Sequence, residues 1–114
     1  MVQEQELPST IREAMERTPE AFQPDKAAGV TATIQYKFTG DEPGNWICKV
    51  GDGKCTMEEG ETDDATVTIN SASDIWLKIT RRELDGATAF MSGQFTFTGD
   101  MGVLMQMGSW FGQA

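Results

Sequence analysis

Val30-Thr31-Ala32-Thr33-Ile34-Gln35-Tyr36-Lys37-Phe38-Thr39 is the stretch on which the fold turns. Its apolar residues, Val30, Ala32, Ile34, Tyr36 and Phe38, alternate with polar ones. A period of two places every apolar side chain on one face, so the segment reads as a half-buried strand of antiparallel type. Just upstream, Gln23-Pro24-Asp25-Lys26-Ala27-Ala28-Gly29 reads as a short helical turn that stops at Gly29. Further back, Leu7, Ile11 and Met15 recur at helical spacing between Pro8 and Pro19, which predicts an amphipathic helix over residues 8–18.

Downstream, Gly40-Asp41-Glu42-Pro43-Gly44 turns the chain into a second strand with Trp46, Cys48 and Val50 inward. Asp52-Gly53 is the centre of a hairpin turn, and the third strand points Cys55 and Met57 inward. In that register Val50 faces Cys55 and Cys48 faces Met57, so the two cysteines are diagonal neighbours. Diagonal side chains stand further apart than a strain-free disulfide needs, so the expectation is two reduced, core-facing thiols of an intracellular protein. Ala65, Val67 and Ile69 mark a fourth strand. Ser71-Ala72-Ser73-Asp74 reads as a capping box that opens a helix to about Arg82, with Ala72, Ile75, Trp76 and Ile79 on one face. Asp85 begins a short helix through Phe90, Phe95 and Phe97 alternate in a fifth strand, and Asp100 caps a last helix from Met101 to about Phe111. Four strands in meander order thus precede a helical excursion, a fifth strand and a closing helix. The predicted fold is α+β, a twisted, mostly antiparallel five-stranded sheet with helices on one face, and residues 1–114 make a single domain.

Composition excludes several function classes. Eighteen Asp and Glu against nine Lys and Arg give a net charge of −9, which opposes approach to nucleic-acid phosphates. Histidine is absent, which removes His-dependent nucleophile systems, imidazole proton shuttles and His-containing metal sites. The acidic run Glu58 to Asp64 lacks the spacing of a calcium loop and reads as solvated. No metal and no cofactor are expected. The N-terminus lacks an apolar signal core, since Glu4, Glu6, Arg12 and Glu13 crowd it, so a cytoplasmic location is expected.

The closing segment is the anomaly. All nine basic residues lie upstream of Gly86, and from Gly86 onward Asp100 is the only charged residue. On the final helix Met101, Leu104, Met105, Gly108 and Phe111 make one stripe, while Val103, Met107 and Trp110 make a second roughly opposite. A helix apolar nearly all round must hide two faces, or must face a ligand or a membrane. Flexible, polarisable methionine recurs where a surface fits ligands of variable shape. Core packing or a dimer contact is the competing reading of the same stripes.

Ala89-Phe90-Met91-Ser92-Gly93-Gln94-Phe95-Thr96-Phe97-Thr98-Gly99-Asp100-Met101 resembles the signature stretch of the sterol carrier protein type-two (SCP-2) family. Pro24 to Gly29 is similar to that family's turn before its first strand, and Trp46 with Asp52-Gly53-Lys54 to its hairpin. Asp64 to Ile69, followed by Ser71-Ala72-Ser73-Asp74-Ile75, resembles its strand-to-helix step. The likeness spans about residues 8–111. It implies helices that enclose a hydrophobic tunnel for fatty acid, fatty acyl-CoA or sterol-like ligands, bound without being transformed. Carried over by position, the implied lining is Trp46, Ile75, Trp76, Ile79, Phe90, Met101, Leu104 and Met105, with Phe111 near the mouth.

Two departures stand out. The family often has lysines along the fifth strand where this chain has Gln94, Thr96 and Thr98, which leaves Lys78, Arg81 and Arg82 as the candidate contacts for an anionic headgroup. Gly112-Gln113-Ala114 is not a peroxisomal address, which argues against the animal peroxisomal branch. The expectation is therefore a non-catalytic lipid-binding or transfer domain, monomeric or weakly dimeric, with transient contact to a membrane or a lipid-handling enzyme. Two other classes stay open. One is a small isomerase or hydratase with a buried Asp100 as base and Tyr36 as oxyanion donor. The other is an interaction module that uses the last helix.

Overall fold

The computed structural model describes residues 8–110, without the side chains of residues 108 and 109. The chain enters through helix α1 (Ile11–Arg17), which is shorter than the predicted span because Thr10 caps it. The Thr10 hydroxyl accepts the Glu13 amide at 3.1 Å. The Glu42 carboxylate, from the turn beyond the first strand, accepts the amides of Ile11 and Arg12 at 2.7 and 3.0 Å. A carboxylate there meets both the free amides and the positive end of the helix dipole. Leu7 lies outside the described residues. Two 3-10 turns follow, Thr18–Ala21 and Pro24–Ala27, each with a proline near its start.

Five strands come next: β1 (Ala32–Thr39), β2 (Gly44–Gly51), β3 (Lys54–Glu59), β4 (Val67–Ala72) and β5 (Phe95–Gly99). Helices α2 (Ser73–Thr80) and α3 (Gly86–Met91) lie between β4 and β5, and α4 (Met101–Trp110) ends the described chain. The sheet order is β3-β2-β1-β4-β5, antiparallel throughout except for the β1–β4 pair. The α+β class and the mostly antiparallel five-stranded sheet stand as read from the sequence. The meander ends after β3, however, because β4 returns beside β1 and pairs with it in parallel. This arrangement makes β1 central and buries Ile34, Val67 and Ile69 completely, while β3, with exposed Thr56, Glu58 and Glu59, is left at the edge. Charged side chains on an edge strand discourage pairing with a further chain.

Asp52 and Gly53 have φ of 53° and 73°, the left-handed pair that a two-residue type I′ hairpin requires. The inner face of the sheet stacks in rows: Met57, Cys48, Ile34 and Val67, then Trp46, Tyr36, Ile69 and Phe97, then Phe38, Ser71 and Phe95. On that face sit Ile11, Ala14 and Met15 of α1, Ala89 of α3, and Met107 and Trp110 of α4. The outer face is polar, with Lys37, Lys49, Thr56, Thr96 and Thr98 exposed.

Two residues of the outer face are buried, Ile47 and, paired with it, Gln35, which is fully covered. The Gln35 Nε2 donates to the carbonyls of Trp46 and Gly60 at 2.9 and 3.0 Å, and its Oε1 accepts the Thr62 amide at 2.7 Å. The acidic connection from β3 to β4 is thereby tied across the back of the sheet. A buried amide is tolerated because both of its ends are hydrogen-bonded.

The predicted capping box does not form. Ser71 belongs to β4, where it pairs with Phe38 and Phe95, and its hydroxyl donates to the Ala72 carbonyl at 2.8 Å. Ser73 instead accepts the Glu42 amide at 3.1 Å, and α2 begins without a side-chain cap. The ladder on both sides of Ser71 keeps the backbone extended where the local motif favours a helix start. Asp85 and Asp100 do cap as expected, accepting the amides of Thr88 at 2.9 Å and Val103 at 3.2 Å.

Candidate functional site

Six aromatic rings form a continuous run under α2 and α3. From Phe38 it passes through Tyr36, Trp76, Phe95 and Phe90 to Phe97, with successive centroids 5.8, 5.5, 5.3, 5.7 and 5.4 Å apart. Strand alternation supplies Tyr36 and Phe38 from β1 and Phe95 and Phe97 from β5, while α2 lowers Trp76 between the two strands. Tyr36, Phe38 and Phe95 are buried, whereas Trp76, Phe90 and Phe97 are half-buried. The run therefore has a dense floor and a partly accessible upper side, and such rings carry large apolar area at low conformational cost.

Of the residues implied as lining, Trp76 and Phe90 lie in this run. Ile75 and Ile79 are half-buried on α2, and Leu104 is half-buried on α4 against the core. Trp46 is 5% exposed and its ring is covered by the guanidinium of Arg12, 5.1 Å from the centroid. Phe111 lies outside the described residues. The structure adds Tyr36, Phe38, Phe95 and Phe97, whose inward positions follow from the period-two alternation of their strands.

Helix α4 hides one side only. Met107 and Trp110 are buried in the core, so the stripe read as the opposite one faces the sheet. Met101 and Met105 are 50% and 67% exposed, and Met91 at the end of α3 is 84% exposed. Glycine also decides how α4 meets the sheet. Gly99 has a φ of 111°, and a Cβ there would run into the Thr66 carbonyl, which accepts the Asp100 amide at 3.0 Å.

Asp100 is exposed and engaged as the α4 cap, so the burial that would make it a general base is not present. Burial pushes the Tyr36 phenol well above its usual range, with smaller contributions from Cys48 and Cys55, and it stays protonated. Arg81 donates to the Pro8 carbonyl at 2.7 Å and to Glu83 at 3.0 Å, which ties the chain entry to the end of α2. A cleft of about 290 Å³ opens on the opposite, polar face of the sheet beside the β2–β3 hairpin, lined by Thr31, Thr33, Lys49, Asp52, Lys54 and Thr56. It shares no residue with the implied lining. Among the described residues no three acidic or cysteine side chains converge as a metal site. No helix among them is long and apolar enough to cross a membrane.

Comparison with known proteins agrees with this geometry. Hydroxysteroid dehydrogenase-like protein 2 of Xenopus tropicalis is 31% identical over 80 residues, 69% of this chain and 19% of that protein. The chain thus spans about a fifth to a quarter of the length of the curated relatives it matches. The sec-alkylsulfatase Pisa1 from Pseudomonas sp. contains the same fold, with a TM-score of 0.73 and 23% identity over 85% of this chain and 15% of that one. The palmitated sterol carrier protein 2-like 2 of Aedes aegypti superposes with a TM-score of 0.70 at 20% identity, covering 87% of this chain and 88% of that one. At these identities the structures share the fold, which recurs both as a free-standing carrier and inside much longer enzymes. The family described as the SCP-2 sterol transfer family matches residues 11–112, so nearly the whole of this chain, aromatic run included, belongs to that family.

Proposed function

We propose that the chain is a non-catalytic lipid-binding and transfer domain that holds a fatty acid, fatty acyl-CoA or sterol-like ligand in an apolar tunnel over the aromatic run. The observation that carries this reading is the run itself, six rings from Phe38 to Phe97 whose upper members Trp76 and Phe90 are only half-buried. Ile75 and Ile79 of α2 would form one wall, and Met101, Leu104 and Met105 of α4 the adaptable one. The palmitated Aedes relative supports an acyl chain as one ligand class. Each CH₂ taken from water contributes ~0.8 kcal/mol, so a long acyl chain outweighs the cost of association in a preformed apolar site. Transfer also requires brief contact with a membrane or lipid-handling enzyme, and the exposed Met101 and Met105 suit it because methionine adapts to differing surfaces.

The test is direct. Protein purified without added lipid is denatured and its organic extract analysed by mass spectrometry, and the delipidated protein is titrated with a fluorescent fatty acid. A co-purified lipid and saturable binding are expected. An extract free of lipid together with no binding of the fluorescent acid would overturn the reading.

A further inference from the structure

The two cysteines, predicted to stand too far apart, are in contact. Val50 pairs with Cys55 and Cys48 with Met57, as the hairpin register requires, yet the Sγ atoms lie 3.4 Å apart. The right-handed twist of a short antiparallel hairpin carries one of its two diagonals together, and here Cys48 and Cys55 occupy it. We propose that Cys48 and Cys55 form a redox-active pair, which a peroxide converts to an intramolecular disulfide that pins edge strand β3 to β2.

The two thiols differ in a way that orders the reaction. Cys48 is buried, whereas Cys55 is half-buried on the strand at the sheet edge and is the one a small oxidant reaches first. The hydrogen bond between them lowers the Cys55 thiol, while that bond and burial push Cys48 up, so Cys55 is the more readily ionised of the two. Cys55 attacks one peroxide oxygen, the O–O bond breaks, and hydroxide leaves with the thiol proton as water. Cys48 sulfur then attacks the sulfenic sulfur of Cys55. The S–S bond forms, the S–O bond breaks, and the second hydroxide leaves with the Cys48 proton. Two thiols and one hydrogen peroxide thus yield one disulfide and two waters. Such a bridge is reopened by thiol–disulfide exchange with an external dithiol, so the change is reversible.

The site is independent of lipid binding and is tested on the purified chain. The protein is exposed to hydrogen peroxide, free thiols are blocked after denaturation, and tryptic peptides are analysed without reduction. Cleavage after Lys49 and Lys54 leaves Cys48 and Cys55 on separate peptides. The expected result is a cross-linked pair that has lost two hydrogens and separates on addition of dithiothreitol. In Cys55→Ser, which alters a half-exposed edge position, oxidation of Cys48 should slow by about tenfold or more. The proposal is overturned if both thiols stay free, if Cys55 runs on to sulfinic acid without cross-linking, or if the bridge joins two chains. It is equally overturned if Cys48 oxidises as fast without Cys55.

Discussion

Trp76 meets Phe95 edge to face, with ring centroids 5.3 Å apart and planes inclined at 84°. That contact joins α2 to β5, two elements linked in sequence only through α3, and it sits midway along the aromatic run. Trp76→Ala should lower stability by about 2–4 kcal/mol, because a large half-buried ring is lost and its neighbours cannot close the space. Trp76→Phe should recover much of that loss. Urea denaturation midpoints of the two variants check the order, and the fluorescent fatty acid should bind the alanine variant more weakly.

The two sides of α4 should separate stability from binding. Met107→Ala empties a core position that is 6% exposed and should cost about 2–4 kcal/mol. Met105→Ser changes a 67% exposed side chain and should leave stability within about 0.5 kcal/mol. If Met105 belongs to the adaptable wall, its serine variant should weaken lipid affinity several-fold at unchanged melting temperature.

Gly99→Ala should be costly, on the order of 2 kcal/mol or more, because a positive φ and the Thr66 carbonyl both oppose a Cβ. Gly93→Ala is the comparison. It shares a positive φ but meets nothing within 4 Å, so only the backbone term of about 1 kcal/mol applies. Parallel thermal melts should show the larger drop for Gly99.

Gln35→Leu should unfasten the acidic connection at Gly60–Thr62. The substitution removes the donor to the Gly60 carbonyl and the acceptor of the Thr62 amide, along with one donor to the Trp46 carbonyl, at a cost of about 2–3 kcal/mol. Hydrogen exchange at Thr62 should accelerate more than at Val67 or Ile69.

Asp85 gives the α3 cap a pH dependence. The Thr88 amide, then the Thr88 hydroxyl, holds its carboxyl below the usual range. A depressed folded-state value means that the stabilisation is complete above the unfolded-state pKa and is lost as pH falls through the folded one. An NMR acid titration should therefore show the Thr88 amide shifting below the ordinary carboxylate range, and Asp85→Asn should abolish that shift.

Local chemistry was enough for much of this protein. The alternation from Ala32 to Phe38 determined which face of β1 is apolar, and Asp52-Gly53 determined the tight hairpin and with it the cross-strand register of Cys48 and Cys55. Asp85 and Asp100 marked two helix starts because a short carboxylate can reach the free amides two or three residues on. Trp76 and Phe90, implied as lining, both lie in the aromatic run, and the inward positions of Phe95 and Phe97 followed from the alternation of their strand.

Tertiary structure decided what local signals leave degenerate. Nothing within β4 specifies whether β1 or β3 is its partner. The choice falls to β1 because that pairing buries Val67 and Ile69 beside Ile34 and Tyr36. The same long-range ladder overrode the capping motif at Ser71, and the connection crossing the back of the sheet buried Gln35 against the period of its strand. An apolar helix such as α4 has no polar face to orient it, so docking on the sheet alone selected Met107 and Trp110 for the core and left Met101 and Met105 outside. Sheet twist, which accumulates over paired strands, drew together two thiols that an untwisted register holds apart.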